Sequence, residues 1–241
     1  MSDNHSILSS IMVDGAEKLG LSLPEGALLS FCAYFELLES KGSNVNLTTV
    51  TGASNIATLH FLDSIALLKT INFKHAKVID IGSGAGFPGV PLKIAEPTID
   101  LTLLDSSGKR ISFLNELCGK LGIEALCVNE RAEQFVQQSD NRENWDVAVS
   151  RAVARLNALS ELCLPYVSVG GYFISMKSKD SDDEINEASS AFEALGAKLI
   201  SSIDYMIPGT EITHRAVLIK KISETPAQYP RRYARIQKSP L

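Results

Sequence analysis

A glycine-rich segment at residues 82–89 constrains the fold of this chain more than any other part of it. It follows an apolar run from Lys77 to Ile81, which predicts a short buried strand, and a helical pattern begins near Phe87. Glycines in such a turn let the backbone approach a ligand closely, and the start of the next helix presents free N–H groups. The segment therefore predicts a strand, a tight turn and a helix around a nucleotide-like ligand.

The glycine spacing indicates which ligand is expected. Glycines alternate from Gly82 to Gly86 after an acidic residue, Asp80, in a G-x-G-x-G pattern that is typical of S-adenosylmethionine enzymes. A dinucleotide fingerprint needs its third glycine where this chain has Phe87, which disfavours a nicotinamide oxidoreductase. Asp105 ends the next apolar run, 23 residues after Gly82, where a carboxylate commonly accepts hydrogen bonds from ribose hydroxyls.

From residue 77 onward, strand and helix patterns alternate, which predicts a mostly parallel sheet with helices on both faces. The last two strands are expected to form a hairpin that adds one antiparallel strand. Seven strands with this ending predict the Rossmann-like, class I fold of S-adenosylmethionine-dependent methyltransferases. The predicted strands are 77–81, 101–104, 125–129, 146–150, 171–176, 198–207 and 214–221, and the predicted helices are 87–95, 108–121, 153–164 and 182–195.

Three regions are predicted along the chain. Residues 1–76 form an N-terminal helical cap, 77–222 form the α/β core, and 223–241 form a basic C-terminal tail. Within the cap, residues 41–46 interrupt the helical pattern and predict a loop, and a further helix is expected over 54–70.

The charge distribution is uneven. The net charge is −5, but residues 214–241 hold seven Lys or Arg and one acid, so they carry +6 and the rest of the chain −11 (7 − 1 = 6; 16 − 27 = −11). Basic residues interleaved with Tyr229 and Tyr233 are able to follow phosphates and stack on bases. A tail that only improves solubility explains the composition equally well.

Several classes of protein are disfavoured by other features. The four cysteines have no CxxC spacing and lie in apolar stretches, which predicts reduced buried thiols and no metal site. Neither a signal-peptide pattern nor an apolar run long enough to span a bilayer is present in the sequence. We therefore expect a cytoplasmic protein without a membrane segment.

Ligands of such sheets bind beyond the carboxyl ends of the strands, so the residues there are the candidates for the site. The third strand is followed by Ala132 and Glu133, and the fourth ends at Arg151. Glu133 is placed to accept a hydrogen bond from an adenine amino group, although a surface carboxylate would occupy the same position. Arg151 is expected at the mouth of the pocket, and an ion pair with a nearby acid is the alternative.

Motifs across nearly the whole chain resemble those of the bacterial 16S ribosomal RNA guanine-N7 methyltransferases of the glucose-inhibited-division protein B type. The most specific are Asp-Ile-Gly-Ser-Gly-Ala-Gly-Phe-Pro-Gly-Val-Pro-Leu at 80–92 and Ser-Arg-Ala at 150–152. The remaining matching segments are 46–48, 60–64, 104–106, 109–110, 113–114, 131–133, 153–154, 229–232 and 238–241.

The resemblance implies transfer of a methyl group from S-adenosyl-L-methionine to N7 of a guanine in the decoding region of 16S ribosomal RNA. It also implies that the protein acts on 16S RNA or on the 30S subunit. We expect a monomer without a metal. The implied cofactor-binding residues are Gly82, Gly84, Phe87, Asp105, Ala132, Glu133 and Arg151. The implied catalytic residues, near the RNA or the target base, are Lys109, Arg151 and Arg215.

Methylation of guanine N7 makes small chemical demands, because this nitrogen has a free lone pair and no proton to remove. The sequence shows no residue that is clearly placed to act as a general base, which agrees with N7 as the target. His60 and His75 are expected to be structural, and no Pro-Cys, Thr-Cys or Asn/Asp-Pro-Pro-Tyr motif indicates another target atom. The alternative function is a non-catalytic, cofactor-dependent RNA-binding or ribosome assembly factor.

Overall fold

The computed structural model describes residues 3–45, 47–138, 140–151 and 153–241. Asn46 and Ala152, which belong to the motif segments above, lie outside the described residues. The strands are β1 (Lys77–Ile81), β2 (Asp100–Asp105), β3 (Ala125–Asn129), β4 (Trp145–Arg151), β5 (Val167–Ser178), β6 (Ala197–Met206) and β7 (Thr213–Lys221). The helices are α1 (Asp3–Lys18), α2 (Ala27–Val45), α3 (Ala53–Ile56), α4 (Asp63–Ile65), α5 (Gly89–Ala95), α6 (Gly108–Leu121), α7 (Ala132–Phe135), α8 (Leu156–Cys163), α9 (Asp182–Glu187), α10 (Ser189–Ala194) and α11 (Tyr233–Lys238).

The seven strands form a single sheet in the order β3-β2-β1-β4-β5-β7-β6. Strands β1 to β5 pair in parallel, and β7 lies antiparallel between β5 and β6. The predicted mostly parallel, seven-stranded sheet with one antiparallel strand is therefore confirmed. The strand order reverses between β1 and β4, and a doubly wound sheet binds its ligand at such a switch point.

The N-terminal helices pack on the glycine-rich turn through an aromatic cluster. The rings of Tyr34 and Phe87 are stacked with their centroids 5.3 Å apart, and Phe61 lies 5.1 Å from Tyr34. The Tyr34 hydroxyl also donates a hydrogen bond to the carbonyl of Ala85. The helical cap thus contacts the turn directly.

Two details of the predicted cap differ from the structure. The predicted loop at 41–46 is wrong for 41–45, because α2 continues to Val45 and Lys41 forms an ion pair with Glu116 on α6. The predicted helix over 54–70 is present but not uniform. A π-helical segment, Ala57–Leu62, joins α3 to α4, and a 3₁₀ turn, Ala66–Lys69, follows.

Three predicted helices of the core are also shorter than expected or divided, and the one predicted over 87–95 begins at Gly89. The helix predicted over 153–164 begins only at Leu156, and the one predicted over 182–195 is divided into α9 and α10 at Ala188.

The C-terminal segment is attached to the core through buried contacts. Glu161 on α8 is fully buried and accepts hydrogen bonds from the backbone and the guanidinium of Arg231. Ile236 on α11 is fully buried against Ala158 and Leu162. These contacts hold residues 229–238 beside α8. The division into cap, core and tail stays a prediction.

Candidate active site

A cavity of about 430 Å³ lies where β1, β2 and β4 end. Seven residues predicted from the sequence line it, namely Gly82, Gly84, Phe87, Asp105, Ala132, Glu133 and Arg151. Leu47, Thr48, His60, Ser83, Ala85, Ser106, Arg110, Arg131, Val153 and Tyr233 also contribute to its wall. The predicted residues are thus brought together around one site, apart from Lys109 and Arg215.

The glycine turn has a backbone that side chains would disturb. Gly82, Gly84 and Gly86 have φ angles of 74°, 59° and 101°. A Cβ atom on Gly82 would lie 2.5 Å from Val153, and one on Gly86 would lie 2.6 Å from the Tyr34 hydroxyl. At Gly84 the nearest atom is the Gly82 carbonyl oxygen at 3.8 Å, which leaves space beside this part of the turn. The turn therefore presents bare backbone to the cavity.

Asp105 is fixed at the end of β2. Its side chain is 3% exposed. Its Oδ2 accepts hydrogen bonds from the Gly84 N–H (3.0 Å) and Arg110 Nη1 (3.3 Å), and its Oδ1 accepts one from the Ser107 N–H (2.8 Å). These donors hold the carboxylate against the glycine turn, so that its orientation is settled before a ligand binds.

Arg151 ends β4 and lies against the ring of Phe87. Its guanidinium carbon is 4.9 Å from the ring centroid, which is a cation–π distance. Its Nη1 donates to Asp63 Oδ2 (3.2 Å) and to the Leu59 carbonyl (3.3 Å), and its Nη2 lies 3.3 Å from His60 Nδ1. Both interpretations of Arg151 therefore hold at once, since it lines the cavity and is paired with an acid.

Asp63 is a buried carboxylate that sequence reasoning missed. Its side chain is 1% exposed, and its Oδ1 accepts hydrogen bonds from the Tyr205 hydroxyl and from His214 Nδ1, each at 2.8 Å. The sequence placed Asp63 within a family motif but gave no sign of its partners, because these lie 88, 142 and 151 residues further along the chain.

Two histidines of this cluster have pKa values displaced in opposite directions. Burial and the nearby Arg151 cation lower the pKa of His60 to about 4, so this imidazole is neutral at pH 7. The hydrogen bond to Asp63 raises the pKa of His214. The cavity wall therefore presents a neutral imidazole beside one guanidinium.

Comparison with known proteins identifies the family. The model of the family described as rRNA small subunit methyltransferase G (GidB) matches residues 28–208. The protein of that name from Desulforamulus reducens is 42% identical over 236 residues, which cover 97% of this chain and 98% of the relative. The one from Alkaliphilus oremlandii is 44% identical over 237 residues, covering 97% and 99%. The chain belongs to the rRNA small subunit methyltransferase G family.

Solved structures with a similar fold include a protein described as a methyltransferase. A SAM-dependent O-methyltransferase from Thermotoga maritima superposes with a TM-score of 0.52 at 12% identity, covering 78% of this chain and 72% of that one. TrmN from Thermus thermophilus gives a TM-score of 0.52 at 16% identity, covering 67% and 48%. At such low identity the likeness supports the Rossmann-like methyltransferase fold and nothing finer.

Two of the predicted catalytic residues of this family member lie outside the cavity wall. Lys109 is exposed on α6, whereas the neighbouring Arg110 lines the cavity and pairs with Asp105. Successive residues of a helix point about 100° apart, so only one of two adjacent side chains faces a given site. Arg215 on β7 is held by Asp204 and Asp182. The catalytic roles of Lys109 and Arg215 stay predictions.

Tyr233 lines the cavity, although the sequence suggested that it stacks on RNA bases. It lies on α11 and lines the cavity near Ala132 and Glu133, with the Arg131 guanidinium 5.8 Å from its ring centroid. Its position follows from the Arg231–Glu161 ion pair, which attaches its segment to α8.

Asp80 is buried behind the glycine turn. Its Oδ2 accepts a hydrogen bond from the Gly89 N–H at 2.8 Å, while Oδ1 has no partner among the described residues. Burial raises the pKa of this carboxyl to about 7. Asp80 therefore supports the turn and the start of α5 from the side of the sheet.

We expect the two histidines of the cluster to titrate on opposite sides of the usual histidine range. In ¹H–¹³C NMR titrations, the pKa of His60 should be about 4, and the pKa of His214 should be higher than that of an ordinary histidine. Arg151→Met should raise the pKa of His60, because a nearby cation is removed. His60→Asn and His214→Asn assign the signals. A His60 that titrates at its ordinary value in the unaltered protein would contradict the arrangement.

Proposed function

We propose that this protein transfers a methyl group from S-adenosyl-L-methionine to N7 of a guanine in 16S ribosomal RNA. One observation carries the proposal: a single cavity joins the glycine turn and Asp105 to Arg151 and Phe87. Membership of the rRNA small subunit methyltransferase G family supports the reaction class and the substrate. The name of that family does not specify the target atom, so N7 is part of the proposal.

The residues of the cavity fit this cofactor. The cavity volume of about 430 Å³ lies within the usual range of small-molecule sites. The strand order β3-β2-β1-β4 places Glu133, Asp105, the glycine turn and Arg151 in succession along one edge of the sheet. Neighbouring strands lie about 4.8 Å apart, so this edge accommodates an elongated molecule. We assign the adenine to Ala132 and Glu133, the ribose to Asp105, and the methionine part to Gly82 and Gly84.

When bound, S-adenosyl-L-methionine would supply a methyl group on a positively charged sulfur, which leaves as a neutral thioether as the N7 lone pair forms the new N–C bond. The protein has to orient the base that accepts this methyl group. Guanine N7 needs no general base. This agrees with a site in which the half-buried His60 has its pKa lowered to about 4, which makes its imidazole a weak base, and forms a hydrogen bond with the Thr48 hydroxyl at 2.7 Å. Arg151 is able to donate to O6, the acceptor next to N7 on the major-groove edge. Orientation of this kind contributes about 7–11 kcal/mol to lowering a barrier.

The proposed reaction needs no metal, because guanine N7 accepts the methyl group through its own lone pair. The described residues hold no group of three or more His, Cys, Asp or Glu side chains that could bind a metal ion. They also include no helix that is long and apolar enough to cross a membrane. A cytoplasmic location follows from the proposed substrate, and the monomeric state predicted from the sequence stays a prediction.

The reaction is tested by transfer of labelled methyl from S-adenosyl-L-methionine to unmodified 30S subunits and to naked 16S RNA. The RNA is then digested to nucleosides and analysed by mass spectrometry. Label in 7-methylguanosine supports the proposal, and the better substrate shows whether ribosomal proteins help to present the base. Label in another nucleoside would overturn N7 as the target. Tight cofactor binding without transfer would favour the non-catalytic assembly factor.

Asp105→Asn should weaken cofactor binding by about 10- to 100-fold, because hydrogen bonds to a charged group contribute about 1.5–3 kcal/mol. Asp100→Asn is the matched control, since Asp100 is exposed at the opposite end of β2. Isothermal calorimetry with S-adenosyl-L-methionine measures both. Equal affinities for Asp105→Asn and the unaltered protein would remove Asp105 from the proposed ribose site.

The C-terminal segment is proposed to bind RNA through three exposed cations, Arg232, Arg235 and Lys238. Arg231 and Lys221 are unsuited to this role because they pair with the buried or half-buried acids Glu161 and Glu143. Only part of the positive charge counted from the sequence is therefore available to phosphates.

Changing these three residues to Gln should weaken binding to 16S RNA and reduce the slope of log K against log salt by up to about 2. The control carries Gln at Lys74, Lys77 and Lys198, which removes the same number of positive charges from exposed positions at the amino ends of β1 and β6. Filter binding at several salt concentrations gives the slopes. If the two triple variants behave alike, the tail serves solubility alone.

A further inference from the structure

The carboxylate of Asp63 joins three separate parts of the chain at the edge of the cavity. Asp63 belongs to α4 in the helical cap, Arg151 ends β4, and Tyr205 and His214 lie on the β6–β7 hairpin. A carboxylate that is 1% exposed is stable only when hydrogen bonds and opposite charge replace its water. Asp63 has both.

The two oxygens of Asp63 have different partners. Oδ1 accepts from Tyr205 and His214 on the hairpin, whereas Oδ2 accepts from Arg151. The hairpin therefore fixes the rotation of the carboxylate, and the remaining oxygen is aimed at the guanidinium. Of the acids in the described chain, Asp63 is the one that forms a salt bridge with Arg151.

The guanidinium of Arg151 is held between this oxygen and the ring of Phe87. A long, flexible side chain at a cavity wall has many rotamers, and confining it costs entropy. The contacts with Asp63, the Leu59 carbonyl and Phe87 confine it to one, leaving the side chain 17% exposed. His60 lies beside this guanidinium and Thr48 beside His60, and both residues line the cavity.

We propose that Asp63 is a positioning residue, which holds the Arg151 guanidinium at this cap-side end of the cavity to receive the acceptor edge of the target purine. This proposal rests on the proposed function. It assigns the target base to the end of the cavity that is lined by Thr48, His60, Phe87 and Arg151. Asp63 has no direct contact with the base. Its contribution is the orientation of the donor that meets O6.

Asp63→Asn separates this role from simple loss of packing. The two donors at the Oδ1 position, Tyr205 and His214, require an acceptor, so the amide oxygen takes that place. The amide NH₂ then faces the Arg151 guanidinium, which is also a donor. The hairpin contacts are retained, and the hold on Arg151 is replaced by repulsion.

Tyr205→Phe is the matched control. It removes one hydrogen bond to Oδ1 of the same carboxylate, leaves His214 to hold that oxygen, and keeps the Oδ2 contact with Arg151. If Asp63 acts by positioning, Tyr205→Phe should keep most of the activity that Asp63→Asn loses.

The experiment compares kcat, KM for 30S subunits, the Kd of S-adenosyl-L-methionine and the melting temperature for both variants. We expect Asp63→Asn to lower kcat by about 100-fold, the size of effect that a misplacement of about 1 Å produces, with cofactor affinity changed less than about threefold. Tyr205→Phe should lower kcat less than about fivefold. Unchanged kcat in Asp63→Asn, or equal losses in the two variants, would overturn the proposal.

NMR relaxation of the Arg151 Nε–H group provides a readout that does not depend on methyl transfer. Asp63→Asn should make this group mobile, and Tyr205→Phe should leave it ordered. An Arg151 that remains ordered in Asp63→Asn contradicts the positioning role even if the unaltered protein transfers no methyl group. Absence of transfer by the unaltered protein, with Arg151 released in Asp63→Asn, contradicts the proposed function alone.

Discussion

The buried charge of Asp63 is the interaction on which the architecture of the site depends. Without its partners this carboxylate would carry a large desolvation penalty, so the chain has to bring a guanidinium, a phenol and an imidazole to it. These donors come from the fourth strand and from the antiparallel hairpin, while the acid comes from the cap. Cap, core and hairpin are therefore mutually positioned by one group at the cavity.

The same charges set the chemistry that the cavity offers. The Arg151 cation contributes to keeping His60 neutral, and the Asp63 anion raises the pKa of His214. What faces the ligand at this end is one guanidinium over an aromatic ring, beside a neutral imidazole. Such a wall is suited to binding and orienting a nucleobase. Because the pKa of His60 is lowered to about 4, this imidazole is a poor acceptor of a proton. An acceptor atom with a free lone pair is the substrate that needs nothing more.

Residues 214–241 show that a count of charged residues overstates the positive charge that is free to bind a ligand. Arg215, Lys221 and Arg231 all have acidic partners, and Lys221 is fully buried. Their charges stabilise the attachment of the hairpin and the last helix to the core. Because this attachment brings Tyr233 to the cavity wall, the segment belongs to the site as well as to the surface.

The sequence alone determined the fold class, the strand order along the chain and the glycine turn with Asp105, because each leaves a local pattern of period, spacing or backbone freedom. It also placed Arg151 at a strand end. Tertiary structure decided which residues are the partners of Asp63, that Arg110 and not Lys109 lines the cavity, and where Tyr233 lies. These depend on contacts between segments far apart in the chain, and the packing of such segments leaves no periodicity in the sequence of either one.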